Sequence, residues 1–223
     1  MASRNVSGPA DVAVIGLGRF GSAVASHLAR LGHSVLALDC SAELVQEWSE
    51  RLTHVVQCDA SNADALRQLG VDSFAHAIVA IGEDIEASVL TVLALSEIGV
   101  PDIWAKAIQD RHGRILERTG AHHVIYPEAS MGERVAHLIT GKIIDFLEVD
   151  EGFAIVKTAA PDEALGRSLG EAGLRRRYGV TVVGLKRAGQ EFTYATAETV
   201  IERGDILLVS GPTASVERFA SIT

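Results

Sequence analysis

The segment Gly16-Leu17-Gly18-Arg19-Phe20-Gly21 restricts what this chain can fold into more than any other feature. It stands between the apolar run Val12-Ala13-Val14-Ile15 and the helix-spaced apolar residues of Phe20 to Leu31, which stop at Gly32. In a G-x-G-x-x-G spacing between a strand and a helix each glycine has its own role. Gly16 makes the tight turn, Gly18 lets the backbone approach a phosphate, and Gly21 lets helix and strand pack closely. The helix that follows presents unpaired N–H groups and the positive end of its dipole. An acid, Asp39, closes the next apolar run, Ser34 to Leu38, 18 residues after Gly21. That position suits a carboxylate accepting hydrogen bonds from ribose hydroxyls. Cys40 and Ser41 follow it, with no Arg to hold a 2′-phosphate, which disfavours NADP.

The rest of the first 140 residues repeats the pattern of short apolar run and amphipathic stretch. Strands are expected at Val55-Val56, Ala75 to Ile81, Ile103 to Ala107 and His123 to Ile125. Helices are expected from the cap Ser41 to about Arg51, then over Asn62 to Leu69, Asp84 to Ile98, Asp110 to Thr119 and Glu128 to Thr140. Strands apolar on both faces and alternating with helices predict a parallel sheet covered on both sides, and right-handed crossovers make it a doubly wound Rossmann sheet. The rhythm changes after Gly141. A half-exposed strand is expected at Phe153 to Ala159 and further, mostly antiparallel, strands at Gly179 to Lys186, Glu191 to Tyr194 and Asp205 to Ser210, with a last helix at Thr213 to Ser221. The fold class is therefore α/β, with a small α+β domain appended. The expected domains are 10–141 and 150–223, with a boundary near 141–150.

Composition narrows the function. The net charge of -9 argues against nucleic acid and anionic lipid as general partners, and 5% aromatics argues against base-stacking platforms. The longest apolar run, Ser88 to Val100, is broken by Thr91, Ser96 and Glu97 and is short of a membrane span. Met1 to Pro9 carries no apolar signal core. Two cysteines, Cys40 and Cys58, are too few for a disulfide framework or a zinc site of their own. They close adjacent strands without a C-x-x-C spacing and are expected to be buried, reduced thiols.

No catalytic constellation accompanies the glycine motif. All eight His lie in the first 137 residues, so the tail offers no acid–base imidazole. His122 and His123 are adjacent on a strand and face opposite ways, which rules out a chelating pair. No G-x-S-x-G, H-E-x-x-H or P-loop lysine motif is present. A complete nucleotide motif without visible chemistry suits a sensor whose ligand shifts a conformational equilibrium. A small NAD-dependent oxidoreductase and an NADH-sensing module are the alternatives. Asp59 can reach the adenine or ribose, or serve as a turn and cap residue. Arg19 can project over a terminal phosphate, or stand solvated on the first helical turn.

The glycine segment, together with His33 to Asp39, Ile78-Val79-Ala80-Ile81-Gly82, Ile103-Trp104-Ala105-Lys106-Ala107, Gly120-Ala121, Tyr126-Pro127-Glu128, Met131-Gly132, Arg177-Tyr178-Gly179-Val180-Thr181 and Gly204-Asp205, resembles the RCK (regulator of potassium conductance) domain. The likeness is to the regulatory subunits of Ktr- and Trk-type potassium-uptake systems, and it covers nearly the whole chain. It implies a non-enzymatic cytoplasmic subunit, peripheral to the membrane through a potassium-translocating partner and gating it. Dimers of the chain would assemble into a homo-octameric ring. The resemblance further implies ATP or ADP as ligand, with NAD(H) in some members. Gly16, Gly18 and Gly21 would hold phosphates, Asp39 the ribose and Asp59 the adenosine end. Phe20, Ala60 and Ile81 would line the site, Arg19 would face a γ-phosphate, and Lys106 would approach the nucleotide. Glu128 matches an acid that binds Mg, Ca or Na between two subunits, although Tyr126 stands where the family more often has His. Arg175, in the basic run Arg175-Arg176-Arg177, occupies the position of a cyclic di-AMP contact.

Overall fold

The computed structural model describes residues 11–140 and 142–223. It contains two compact units that divide after Glu128.

The first unit is built on six parallel strands: β1 (Asp11–Ile15), β2 (Ser34–Asp39), β3 (His54–Gln57), β4 (His76–Val79), β5 (Ile103–Lys106) and β6 (His123–Ile125). Their order across the sheet is β3-β2-β1-β4-β5-β6, the doubly wound arrangement expected from the alternation. The helices are α1 (Arg19–Arg30), α2 (Ala42–Ser49), α3 (Ala63–Gln68), α4 (Ile85–Glu97) and α5 (Asp110–Thr119). Three of their starts are fixed by polar caps. The Ser41 hydroxyl accepts from Leu44 N–H, the Asn62 amide oxygen from Asp64 and Ala65 N–H, and the Asp84 carboxylate from Ala87 N–H. Two apolar clusters cover the sheet. Val12, Val14, Ala37 and Leu17 belong to one, and Ala13, Ile15, Leu38, Val79, Ile103 and Leu116 to the other. Alternate residues of β1 thus enter opposite cores, which is why its run is continuously apolar.

Helix α6 (Pro127–Thr140) contains the division between the units. The second unit carries an antiparallel sheet of β7 (Ile143–Asp150), β8 (Phe153–Ala159), β9 (Thr181–Lys186), β10 (Phe192–Tyr194) and β11 (Ile206–Pro212), in the order β10-β9-β11-β8-β7. Two short helices, α7 (Leu169–Ala172) and α8 (Leu174–Tyr178), and the terminal α9 (Thr213–Ser221) complete it. Val156, Leu207, Val209, Val216 and Phe219 are fully enclosed in its core.

The boundary differs from the expected 141–150. Residues 143–150 form β7, pairing with β8 in a ladder whose register shifts between Ile143 and Asp145 and again between Glu148 and Asp150. These bulges break the period-two pattern, and with three acids the segment reads as a connector. Among the described residues no helix is long and apolar enough to cross a membrane.

Candidate functional site

In a parallel sheet every strand ends on the same edge, and the strand order reverses between β1 and β4, where a crevice opens beyond their C-terminal ends. The glycine segment turns there. Gly16 has φ +96°, and a Cβ on it would come 3.2 Å from the Ala80 carbonyl carbon. At Gly21 a Cβ would sit on the Gly16 carbonyl oxygen and 2.8 Å from the Ala80 Cβ. Gly18 differs: a Cβ there would meet no atom within 4 Å. Its side of the loop is open, and Gly18 caps α1 without any side-chain hydrogen bond to the helix's first N–H groups. This is the cradle that a phosphate fits: open backbone, free donors and the positive helix end.

Asp39 sits at the end of β2 and holds this loop. Its Oδ2 accepts from Leu17 N–H at 2.6 Å and its Oδ1 from Ser41 N–H at 2.8 Å. A carboxylate has about four acceptor positions, so both oxygens retain capacity for ribose hydroxyls. Asp59 lies two residues beyond β3, exposed, and its Oδ1 accepts from Ser61 N–H at 3.0 Å and Ser61 Oγ at 2.6 Å. These bonds hold its carboxyl below the ordinary range. Its turn-forming role is therefore present in the structure, and Asn62 takes the cap of α3. Ala60 is buried and Ile81 half-buried, both in the core beneath this edge.

Lys106 and Glu128 come together. Lys106 Nζ lies 2.7 Å from Glu128 Oε1, with the lysine side chain 12% exposed and the glutamate 64%. That hydrogen bond lowers the Glu128 pKa, and the charges of Lys106 and Arg19 add to the effect. Phe20 places its ring centroid 5.9 Å from the same ammonium. Gly82 makes the room: a Cβ there would be 3.0 Å from Lys106 Nζ. Arg19, Phe20, Gly82, Lys106 and Glu128 therefore form one cluster beside the glycine loop. The resemblance implies different ligands for Lys106 and Glu128, a nucleotide and a cation. The register explains their pairing: Lys106 faces Ile125 across β5 and β6, so a residue three past Ile125 emerges at the same sheet edge. No group of three or more His, Cys, Asp or Glu among the described residues is placed to hold a metal ion, and within one chain Glu128 has Lys106 as its partner.

Other expected residues lie elsewhere. Arg175 is exposed on α8; its neighbour Arg177 is tied to Glu163 at 2.7 Å, and Tyr178 also donates to Glu163. His122 and His123 divide as expected: His122 Nδ1 accepts from Ile103 N–H, while His123 stacks on Trp104. The cysteines depart from expectation, since Cys40 is exposed and only Cys58 is partly covered. Cys40 opens the turn after β2, beyond the sheet's covered portion.

A doubly wound sheet with an open glycine turn after β1, held by the acid that ends β2, defines a Rossmann-type nucleotide-binding fold. Similarity to known proteins agrees. The TrkA-N domain matches residues 12–127 and the TrkA-C domain residues 153–223. The chain is 38% identical over 210 residues to the Ktr system potassium uptake protein C of Bacillus subtilis, covering 94% of this chain and 95% of that protein. It is 35% identical to the Ktr system potassium uptake protein A of the same organism, covering 93% and 94%. The chain belongs to this TrkA-N/TrkA-C family. In fold it is similar to the solved GsuK channel bound to NAD, with a TM-score of 0.67 at 18% identity, covering 98% of this chain and 40% of that one.

Proposed function

We propose that the chain is the nucleotide-sensing gating subunit of a potassium-uptake system. It binds ATP or ADP in the crevice beside Gly18 and acts through a membrane-embedded potassium-translocating partner, to whose cytoplasmic side it docks. NAD(H) is the competing ligand. The observation that carries this reading is the open cradle at Gly18 with the Lys106 ammonium in the cluster beside it: two sources of positive potential for a polyphosphate. Phosphates would lie on Gly16, Gly18 and Gly21, the ribose on Asp39 and the adenosine end near Asp59, Ala60 and Ile81. Arg19 would meet the terminal phosphate.

Dimers assembling to an octameric ring would supply the large surface through which a small change at the site reaches a membrane partner. In such a dimer two Glu128 carboxylates could share a divalent cation or Na, with water or phosphate oxygens completing the hard-ligand shell. Cyclic di-AMP at Arg175 would be a second input. The test is competition between ATP, ADP and NADH in one binding assay, with light scattering on the same sample. Adenine-nucleotide binding that depends on Asp39, in a particle several times the chain's mass, is expected. A monomer that binds none of the three would overturn the proposal, and turnover of NADH with a carbonyl substrate would favour the oxidoreductase.

A further inference from the structure

Cys40 and Cys58 share no sequence motif, yet the sheet makes them a pair. Strands β2 and β3 run parallel with Leu38 facing Val56 and Asp39 facing Gln57. That pair is the last of the ladder: Cys58 N–H donates to the Asp39 carbonyl at 2.9 Å, and Cys40 and Cys58 are the next residue beyond each strand. In a parallel ladder that bond belongs to the Asp39–Gln57 pair. Gln57 closes the same end, its Nε2 donating to the Cys40 carbonyl at 3.0 Å. Facing residues such as Asp39 and Gln57 lie about 4.8 Å apart, so the two cysteines one residue further on start from a separation comparable with the roughly 4.4–6.8 Å between the Cα atoms of a disulfide. Leu36, Val56 and Cys58 pack against the same core cluster as Leu38, and Cys40 stands two residues past Leu38 in the turn that follows β2. Both thiols are free, and Cys40 is exposed. Each adjoins an acid of the nucleotide site, Asp39 before Cys40 and Asp59 after Cys58.

We infer that Cys40 and Cys58 form a redox pair whose closure to an intrachain disulfide regulates the ribose end of the nucleotide site. The inference rests on the nucleotide-binding reading above. The oxidant is a low-molecular-weight disulfide. The Cys40 thiolate attacks one sulfur of it, the other sulfur leaves as a thiolate and takes up a proton, and a mixed disulfide remains on Cys40. Cys58 then gives up its proton, its sulfur attacks Cys40 Sγ, and the second small thiol leaves. Two protein thiols become one disulfide while one small disulfide becomes two thiols.

The exposed thiol attacks first. Burial and the charge of Asp59 push the Cys58 pKa up, which makes Cys58 the resolving sulfur. Closure ties the turn after β2 to the end of β3. The backbone it tethers adjoins Asp39, whose carboxylate holds Leu17 of the glycine loop and Ser41 of the turn. Linkage is reciprocal: a disulfide that weakens nucleotide binding is itself opposed by bound nucleotide.

The test incubates the full chain with oxidised glutathione, alkylates free thiols, and reads intact mass and a non-reduced peptide map. The expected result is a species lighter by two hydrogens with Cys40 and Cys58 peptides joined, absent in Cys40→Ser and Cys58→Ser. Its ADP affinity should be about tenfold weaker and restored by dithiothreitol, and ADP should slow its formation. No intrachain link, or a link with unchanged ADP affinity, would overturn the inference. The link is read by mass without nucleotide. A reduced chain that binds no ADP therefore overturns the nucleotide reading and the regulation resting on it, whereas unlinked thiols beside normal ADP binding overturn this inference alone.

Discussion

The two units use their charged side chains in opposite ways. In the parallel unit, every strand delivers its C-terminal residue to one edge. Asp39, Lys106 and the Glu128 that follows β6 collect around the glycine loop with Arg19 and the open end of α1. That charge is only partly enclosed: the Lys106 side chain is 12% exposed and that of Glu128 64%. The antiparallel unit sends strand ends to both edges and gathers no such crevice. Its charges close on themselves. Arg187 donates Nε to Asp205 Oδ1 at 3.0 Å and a terminal nitrogen to Oδ2 at 3.1 Å, while also reaching Glu202 and the Val200 carbonyl. Asp205 is fully buried and accepts from Glu202 N–H as well. A charge that the fold consumes is unavailable to a ligand. A charge left at a shared edge is available, and the parallel topology alone decides which residues are left there.

The sharpest break of this comparison lies within the glycine loop. Gly21→Ala places a methyl on the Gly16 carbonyl oxygen. It should lower the stability of the full chain by about 3 kcal/mol in urea denaturation and abolish ADP binding. Gly18→Ala places its methyl where no atom lies within 4 Å. Stability should stay within about 0.5 kcal/mol while ADP affinity falls at least about tenfold. Were Gly18→Ala as destabilising as Gly21→Ala, the loop would be a packing device only.

That division of labour among the glycines was readable from spacing, and so was most of the parallel sheet. Continuous apolar runs mark strands buried on both faces, and Ser41, Asn62 and Asp84 announce helix starts by the cap chemistry the structure shows. The antiparallel half was less legible at β7, where register shifts on either side of Phe146 destroy the alternation that identifies a strand. Within the site, the individual residues were visible and their pairing was not. The Lys106–Glu128 contact spans two strands and a turn, and only the parallel register of β5 and β6 brings its ends to one place. The Cys40–Cys58 relation was hidden in the same way.

In the antiparallel unit the largest effect should follow loss of Asp205. Replacing it by Asn removes the charge that Arg187 and the Glu202 N–H require, at a cost of about 2 kcal/mol at neutral pH. The Arg187 hydrogen bonds hold the Asp205 carboxyl below its ordinary value of 3.8. A group with a lowered native pKa stabilises fully above its unfolded value, and that contribution is lost as pH falls through the native one. The stability difference between wild type and Asp205→Asn should therefore be constant above about pH 5 and shrink in more acid solution. A difference that grew on acidification would contradict the pairing.

The crevice ion pair should show its effect in binding instead of stability. Lys106→Met removes the ammonium and should weaken ADP about ten- to hundredfold, the range of a charged hydrogen bond. Glu128→Gln keeps the shape and frees the ammonium from a carboxylate that competes with phosphate for it. Affinity for ADP without added divalent cation should rise about threefold in calorimetry. If Glu128→Gln weakened binding under those conditions, the carboxylate would be positioning the lysine for the nucleotide.

The smallest effect belongs to the pair that most resembles the crevice and differs from it in setting. Glu163 accepts from Arg177 at 2.7 Å and from Tyr178 at 2.6 Å, a contact as short as that of Lys106 with Glu128. Both partners are well exposed, at 40% and 39% for the side chains of Arg177 and Glu163, and water screens such a pair. Its bonds still lower the Glu163 pKa, which shows the interaction without making it decisive for the fold. Glu163→Gln should shift the thermal midpoint by no more than about 2 °C and leave ADP binding unchanged, since no strand of the parallel sheet delivers it to the crevice. Equal distances with unequal consequences would confirm that the shared sheet edge, not the ion pair itself, gives Lys106 and Glu128 their role.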